Sequence, residues 1–380
     1  MIPKLNFGVV GLGRAFSLML PALERDPRVA LVAGADPRPE ARERFAREFQ
    51  ARAYATAEAL CADPAVEVVY IATPHELHAA QACLAASHKK HLLVEKPMAL
   101  TLEDCGAMIA AARAAGVHLL VGHSHSFDAP VQRARAIIAS GELGRLRMVS
   151  ALNYTDFLYR PRRPEELDPA RGGGALFNQA AHQVDVVRML ASGRVKSVRA
   201  AAGAWDPARP ADGAYSALLA FDDGAFATLV YSGYAHFDSD ELMGWIGESG
   251  ARKDPQAYGA ARRALAGGEA ALKQSRSYGG AAYAPPPAPE AHPHFGLVIA
   301  SCERGDVRPL PTGVAVYGDA ARRLEPLPPP AVPRAEVIDE LHAAVREGRA
   351  PLHDGAWAMH TLEVCLALRR SASEQREVFL

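Results

Sequence analysis

Leu5-Asn-Phe-Gly-Val-Val-Gly-Leu-Gly-Arg-Ala-Phe16 decides how the first part of this chain folds. Leu5 to Val10 is a short apolar run of the kind a fully buried strand shows. Gly11-Leu-Gly13 is a turn, and Leu18, Leu20 and Leu23 then carry a helix to Asp26-Pro27. A strand, a glycine turn and a helix in this order form a cradle for a pyrophosphate, because glycine backbone admits close approach and the free N–H groups at a helix start favour an anion. Phe16 stands where the third glycine of a GxGxxG turn would be, so helix and strand must pack differently here. The next apolar run, Val29 to Ala35, ends in Asp36, 25 residues after Gly11. That is close to the ~20-residue spacing of an acid that accepts from a ribose 2′-hydroxyl. Gly11, Gly13, Arg14, Ala15, Asp36 and Arg38 are therefore candidate dinucleotide contacts. The alternative for Asp36 is a helix N-cap ahead of Pro37 to Phe49.

The pattern repeats further along. Val66 to Ala72 reads as a third strand, His91 to Val94 as a fourth and Val117 to Val121 as a fifth, with helices at 76–88 and 102–115 between them. Alternating strands and helices predict a doubly wound parallel sheet in a first domain, residues 1–125. Ligands lie beyond the carboxyl ends of such strands, which places Thr73, Pro74, His75, His78, Glu95 and Lys96 among the cofactor candidates. Lys96 carries extra interest. The chain has seven lysines among 42 Lys+Arg, and an ammonium at that position could steady an alkoxide.

From Ser126 the rhythm changes. Helix 131–140 leads into a strand at 147–154, and strand-like runs follow at 195–204, 214–221, 225–234, 241–247 and 314–318. These predict a large, mostly antiparallel open sheet in a second α/β domain, residues 126–380. Residues 251–294, rich in Ala, Gly and Pro, read as an arm or lid with one helical piece near 258–274. Two amphipathic helices, 335–347 and 355–371, close the chain.

Arg171-Gly-Gly-Gly-Ala-Leu-Phe-Asn-Gln-Ala-Ala-His-Gln-Val-Asp185 is the chemically richest stretch. The glycines allow close approach to a ligand, and on the following helix Asn178, His182 and Asp185 fall on one face, a set suited to handling a hydroxyl or carbonyl. The plainer alternative is an amphipathic helix with its polar side in solvent. Arg160, Arg162, Arg163 and Arg171 crowd the approach, and arginine's planar fork binds carboxylates. A solvated basic loop is the alternative there.

Composition excludes several classes. Lys+Arg 42 against Asp+Glu 43 gives net charge −1, so nothing favours nucleic acid or an anionic membrane. No run of ~18 apolar residues occurs. The five cysteines are scattered without a CxxC pair, so no metal site is expected and a reducing cytoplasm is.

With Gly11-x-Gly13, Thr73-Pro74, Glu95-Lys96-Pro97 and the Gly172–Asp185 helix in this order, the chain resembles the glucose–fructose oxidoreductase/inositol dehydrogenase (Gfo/Idh/MocA) family. The resemblance implies an N-terminal Rossmann domain, NAD (or NADP) as cofactor, a small-molecule substrate, and a homodimer or homotetramer built on the C-terminal sheet. It also implies that Lys96 and His182 are catalytic, with Asp185 and Asn178 beside them. The family usually has aspartate at position 178 and glycine at 180, and Asn178 cannot take a proton. Within the family, Gly11–Phe16, Asn178–Asp185 and Tyr231–Asp238 resemble dehydrogenases of carboxylated aromatic cis-dihydrodiols of the phthalate type. That implies oxidation to the catechol, with Arg163 and Arg171, beside Asn178 and His182, as substrate contacts. A sugar or polyol dehydrogenase is the runner-up, and a non-catalytic NAD-binding sensor the reading from another class.

Overall fold

The computed structural model describes residues 4–122, 124–168, 171–280, 283–285 and 287–380. The chain divides into two compact units. One comprises residues 1–123, 271–287 and 332–362, the other 124–270, 288–331 and 363–380.

In the first unit, β1 (Leu5–Val10) leads through the glycine turn to α1 (Arg14–Arg25) and β2 (Val29–Ala35). Then come α2 (Pro39–Phe49), β3 (Arg52–Tyr54), α3 (Ala57–Cys61) and β4 (Val68–Ile71), followed by α4 (His78–Ser87), β5 (His91–Val94), α5 (Leu102–Ala115) and β6 (Leu119–Val121). The strands pair in parallel in the order β3-β2-β1-β4-β5-β6. Strand order therefore reverses beside β1, between β2 and β4, where a sheet of this kind opens a crevice at its carboxyl ends. β4 is buried throughout, as a strand with helices on both faces must be. β3 is too short and half-exposed to show in sequence. Local chemistry sets the helix ends: Thr101 caps α5 by accepting from the Asp104 N–H, and Gly116 stops it in the left-handed conformation.

The second unit holds α6 (Ala129–Ala139), β7 (Leu146–Tyr154), α7 (Ala175–Asn178), α8 (Ala180–Ala191), β8 (Val195–Gly203), β9 (Ala214–Phe221) and β10 (Phe226–Ser232). After α9 (Ala260–Leu265) and α10 (Glu269–Ser275) come β11 (Leu297–Cys302), β12 (Gly305–Leu310), β13 (Gly313–Gly318) and β14 (Arg322–Pro326). The chain closes with α11 (Ala335–Glu347), α12 (Gly355–Glu374) and β15 (Val378–Phe379). Nine strands form one sheet in the order β14-β13-β12-β11-β7-β10-β9-β8-β15. Only β7 and β10 run parallel; the other neighbours are antiparallel. Period-two alternation buries Val149, Ala151 and Asn153 with Ala227, Leu229 and Tyr231 under α8, while Leu218 and Phe226 are exposed.

Four expectations change. Residues 241–247 are not a strand: Ser239–Met243 is a short 3-10 helix whose Asp238 side chain accepts from the Asp240 N–H, a local bond that competes with a ladder. The 258–274 helix is two, α9 and α10, divided at Gly267-Gly268, where Gly268 has φ +105. The helix expected to carry Asn178, His182 and Asp185 together is broken at Gln179, and the Asn178 amide donates back to the Gly172 and Gly174 carbonyls at 2.8 and 3.0 Å. Residues 126–380 are also not one uninterrupted unit. Arg346 pairs with Glu67, Arg28 with Asp339, and the Val121 N–H bonds the His353 carbonyl at 3.0 Å, which ties 332–362 to the first sheet.

Candidate active site

Each unit carries its own set of site residues. In the first, the Gly11 N–H bonds the Ala35 carbonyl at 2.8 Å, and its backbone has φ +92. A Cβ there would stand 2.8 Å from the Ala72 carbonyl oxygen, so only glycine passes between the ends of β2 and β4. Gly13, at the N-cap of α1, has nothing within 4 Å of the place a Cβ would take. This is an open approach to the first N–H groups of a helix, with Arg14 and Ala15 beginning the helix. The turn therefore fits a dinucleotide pyrophosphate. Phe16 is fully buried, edge-on to Tyr278 at 5.1 Å and tilted to Phe45 at 5.9 Å. An aromatic cluster fills the contact that a third glycine would otherwise tighten.

Asp36 is not an N-cap; Arg38 occupies that position before α2. Its carboxylate accepts from the Leu12 N–H at 2.8 Å, the Arg38 N–H at 3.0 Å, and Arg38 Nε and Nη2 at 2.9 and 3.1 Å. Thr73 Oγ1 donates to Gln81 Oε1 at 2.7 Å, and Pro74 and His75 follow at the end of β4. The side chains of His78 and Glu95 are supports. His78 is fully buried, with its ring nitrogens 3.0 Å from the Thr73 carbonyl and 3.1 Å from the Pro97 carbonyl, and burial holds its pKa below the usual 6.5. The Glu95 carboxylate accepts from the Tyr70 hydroxyl at 2.6 Å, and burial raises its pKa. Lys96, half-buried, follows directly after β5 and Glu95.

In the second unit two of the three glycines, Gly173 and Gly174, serve packing. A Cβ on Gly173 would stand 2.7 Å from the Asp168 carbonyl oxygen, and one on Gly174 would strike the Asp212 carboxylate. Asp212 in turn accepts from the Leu176 N–H at 2.7 Å, at the start of α7. α8 follows with all twelve residues buried, which overturns a solvent-facing polar side. His182 is 8 % exposed; its ring lies 4.8 Å from Phe295 and 5.0 Å, edge-on, from His125. Asp185 is buried and accepts from the Ser126 hydroxyl. His125 was not anticipated. Its Nδ1 is 2.7 Å from the Asp128 carboxylate, and it also packs on Phe295 at 5.2 Å. The run Ser124-His-Ser126, with Asp128 after it, was the available signal, a histidine and an acid three residues apart. Gln179 and Gln183, also on α8 or at its start, meet the Tyr231 and Tyr215 hydroxyls at 3.3 and 2.8 Å.

The arginine cluster separates. Arg160 binds Asp156 and Glu248, each at 2.7 Å. Arg162 lies 3.9 Å over the Phe157 ring and donates to the Phe157 carbonyl at 2.9 Å, and burial brings its pKa down to about 10. These two are framework. Arg163 and Arg171 are exposed, Arg163 with a loose 3.5 Å pairing to Glu166. Among the described residues no group of three His, Cys, Asp or Glu side chains converges on a metal-sized site, and no helix is long and apolar enough to cross a membrane.

Residues 5–123 match the oxidoreductase-family NAD-binding Rossmann model GFO_IDH_MocA, and 131–251 match the GFO/IDH/MocA C-terminal domain. Over 372 residues the chain is 49% identical to 1-carboxy-3-chloro-3,4-dihydroxycyclohexa-1,5-diene dehydrogenase of Comamonas testosteroni, covering 96% of this chain and 94% of that one. The chain belongs to the GFO/IDH/MocA family. It is thus an NAD-binding oxidoreductase. A Bordetella bronchiseptica RB50 structure, assigned only provisionally as a dehydrogenase, superposes with TM-score 0.94 at 42% identity, covering 99% of this chain and all of that one. The WlbA dehydrogenase of Bordetella pertussis, solved with NADH and UDP-GlcNAcA, shares the fold at TM-score 0.71 and 24% identity, over 99% of each chain.

Proposed function

We propose that the protein oxidises a carboxylated cyclohexadiene cis-diol to the corresponding catechol. The observation that carries this reading is the 49% identity to the Comamonas dehydrogenase over nearly the whole of both chains. Bound NAD would accept the hydride from the carbinol carbon. His182 takes the hydroxyl proton, and Lys96 steadies the oxygen as negative charge develops on it. Asp185, held by Ser126, limits the settings open to the helix face that carries His182. The hydroxy-ketone then enolises, its ring C–H proton leaving carbon and the ketone oxygen gaining a proton, to give the catechol, and aromatisation draws the oxidation forward. Arg163 and Arg171 anchor the carboxylate. Their exposure supports this role, whereas Arg160 and Arg162 are less exposed and bound into the framework.

Asn178 is not a proton carrier in this scheme; its amide holds the glycine turn. We further assign a cytoplasmic location, which the five free cysteines support, and a homodimer or homotetramer through the exposed sheet face that carries Leu218 and Phe226. The test is NADH formation with carboxylated cis-dihydrodiols set against neutral polyols. Turnover of the acids with catechol release is expected. Equal or faster turnover of the polyols would replace this reading with a sugar or polyol dehydrogenase.

A further inference from the structure

The carboxylate expected to read the ribose is already full. An ionised carboxylate offers about four acceptor directions, and Asp36 has four donors on it: the Leu12 and Arg38 N–H groups, Arg38 Nε and Arg38 Nη2, all within 2.8–3.1 Å. Asp36 is 6 % exposed. Arg38 is itself fixed from two further sides, since Nη2 donates to the Leu12 carbonyl at 2.7 Å and Nη1 to the Tyr278 carbonyl at 3.3 Å.

Tyr278 arrives from far along the chain, in the segment 276–280 that belongs to the first unit, and that segment is well anchored. The Tyr278 hydroxyl donates to Glu48 at 2.7 Å, its ring packs edge-on against Phe16, and the Arg44 guanidinium lies 5.1 Å over the ring and 4.7 Å over that of Tyr283. Gly279 has φ +83, and a Cβ there would stand 2.8 Å from the Ala41 Cα in α2. The strap's backbone thus lies directly on the helix that follows Arg38. This also accounts for Phe16: the side chain that displaces the third glycine of the turn is the floor on which Tyr278 rests.

We propose that the Tyr278–Gly280 strap is a latch that holds Arg38 across Asp36 and thereby sets the choice between NAD and NADP. A ribose 2′-hydroxyl can donate to Asp36 only after Arg38 gives up a side-chain bond to it. A 2′-phosphate meets a different surface. Asp36 and Arg38 together carry no net charge, and one Nη1 hydrogen of Arg38 can bond a phosphate oxygen while Asp36 stays paired. The latched form therefore narrows the preference for NAD over NADP, and opening the latch restores the preference that a bare Asp36 would give. The inference concerns the cofactor and holds whichever alcohol is oxidised.

The test measures dissociation constants of NAD and NADP for the full chain by calorimetry, without any substrate. Arg38→Ala should leave NAD binding unchanged or tighter and weaken NADP, raising the NADP/NAD ratio of constants by roughly tenfold or more. Gly279→Ala, remote from the nucleotide, should raise the same ratio by roughly threefold, because its methyl lifts the strap from α2 and withdraws the Tyr278 carbonyl. In the unaltered protein, amide exchange at Tyr278–Gly280 should quicken on adding NAD and not on adding NADP; this measurement stands if Gly279→Ala does not fold. A tenfold loss of NAD affinity in Arg38→Ala, or an unchanged ratio, would overturn Arg38 as the obstacle. Unchanged exchange with NAD would overturn the strap's part. None of these outcomes depends on the diol reading, which would fail separately, in the substrate screen.

Discussion

Arg160 and Arg163 are three residues apart in one basic run, yet their loss should do opposite things. Arg160→Ala removes two 2.7 Å bonds, to Asp156 and Glu248, and leaves Glu248 with the Asn153 amide at 3.3 Å. Breaking a fully buried pair costs about 3–5 kcal/mol. Here the side chains of Arg160, Asp156 and Glu248 keep 37%, 44% and 21% exposure, so screening by water reduces the expected loss to about 2–3 kcal/mol. At ~2–4 °C per kcal/mol, the melting temperature should fall by roughly 5–10 °C. Glu248→Gln placed in the Arg160→Ala background should recover part of this, since one of the two carboxylates that lose Arg160 is then uncharged. Arg163→Ala breaks only a 3.5 Å pairing at an exposed position, so its stability should stay within about 0.5 kcal/mol. Its effect should appear in kinetics. A charge-assisted anchor worth ~1.5–3 kcal/mol predicts a roughly ten- to hundredfold fall in kcat/KM for the carboxylated diol, mostly through KM. Thermal unfolding and steady-state assays on the two variants decide the matter. A melting shift below about 1 °C for Arg160→Ala, or unchanged kcat/KM in both Arg163→Ala and Arg171→Ala, would refute the division between framework and anchor.

Lys96→Ala and His182→Ala should each lower kcat by about a hundredfold or more while calorimetry still registers NAD; near-normal kcat in His182→Ala would move the base elsewhere, with His125 and its Asp128 partner the first alternative. Gly11→Ala should weaken NAD and destabilise the first unit by about 1–3 kcal/mol, since its Cβ meets the Ala72 carbonyl; normal NAD affinity would show that the turn yields more easily than its packing implies. Burial keeps His78 neutral below its ordinary 6.5. The unfolded chain therefore binds that proton first, and the stability His78 contributes above pH 6.5 is lost as pH falls through its depressed folded value. His78→Gln should accordingly be less stable than the parent at pH ~7.5, with the gap narrowing by up to ~1.4 kcal/mol per pH unit below 6.5; a gap that widens in acid in urea titrations would show the reverse shift.

Much of the first unit was legible because its rules are local. Val66 to Ala72 could only be a buried strand, and Gly11 and Asp36 fall where strand ends meet. Short elements that lean on neighbours for their stability gave no such signal: β3 and β15, with three and two residues, show neither a period nor a bounded apolar run. The limit was sharper at the site. Spacing put Asn178, His182 and Asp185 on one face of one helix, yet the helix breaks at Gln179 and leaves Asn178 in the short helix before it, and side-chain bonds are invisible to spacing. Asn178 turns locally, back to the glycine carbonyls four and six residues before it, while Asp185 is taken by Ser126 from 59 positions away. Arg160, equal to Arg163 in sequence, is claimed by Glu248, 88 residues on.

The Asp36 carboxylate extends the same point to chemistry. As a residue type at a spacing it reads as a ribose acceptor, and a carboxylate alone would repel a 2′-phosphate. Once Arg38 Nε and Nη2 lie on it, its charge is balanced and its acceptor directions are filled. What that position can bind is then governed by the pair, and through the Tyr278 carbonyl by a segment 240 residues away. A motif identifies which atom can meet the ligand; the donors already on that atom determine whether it will.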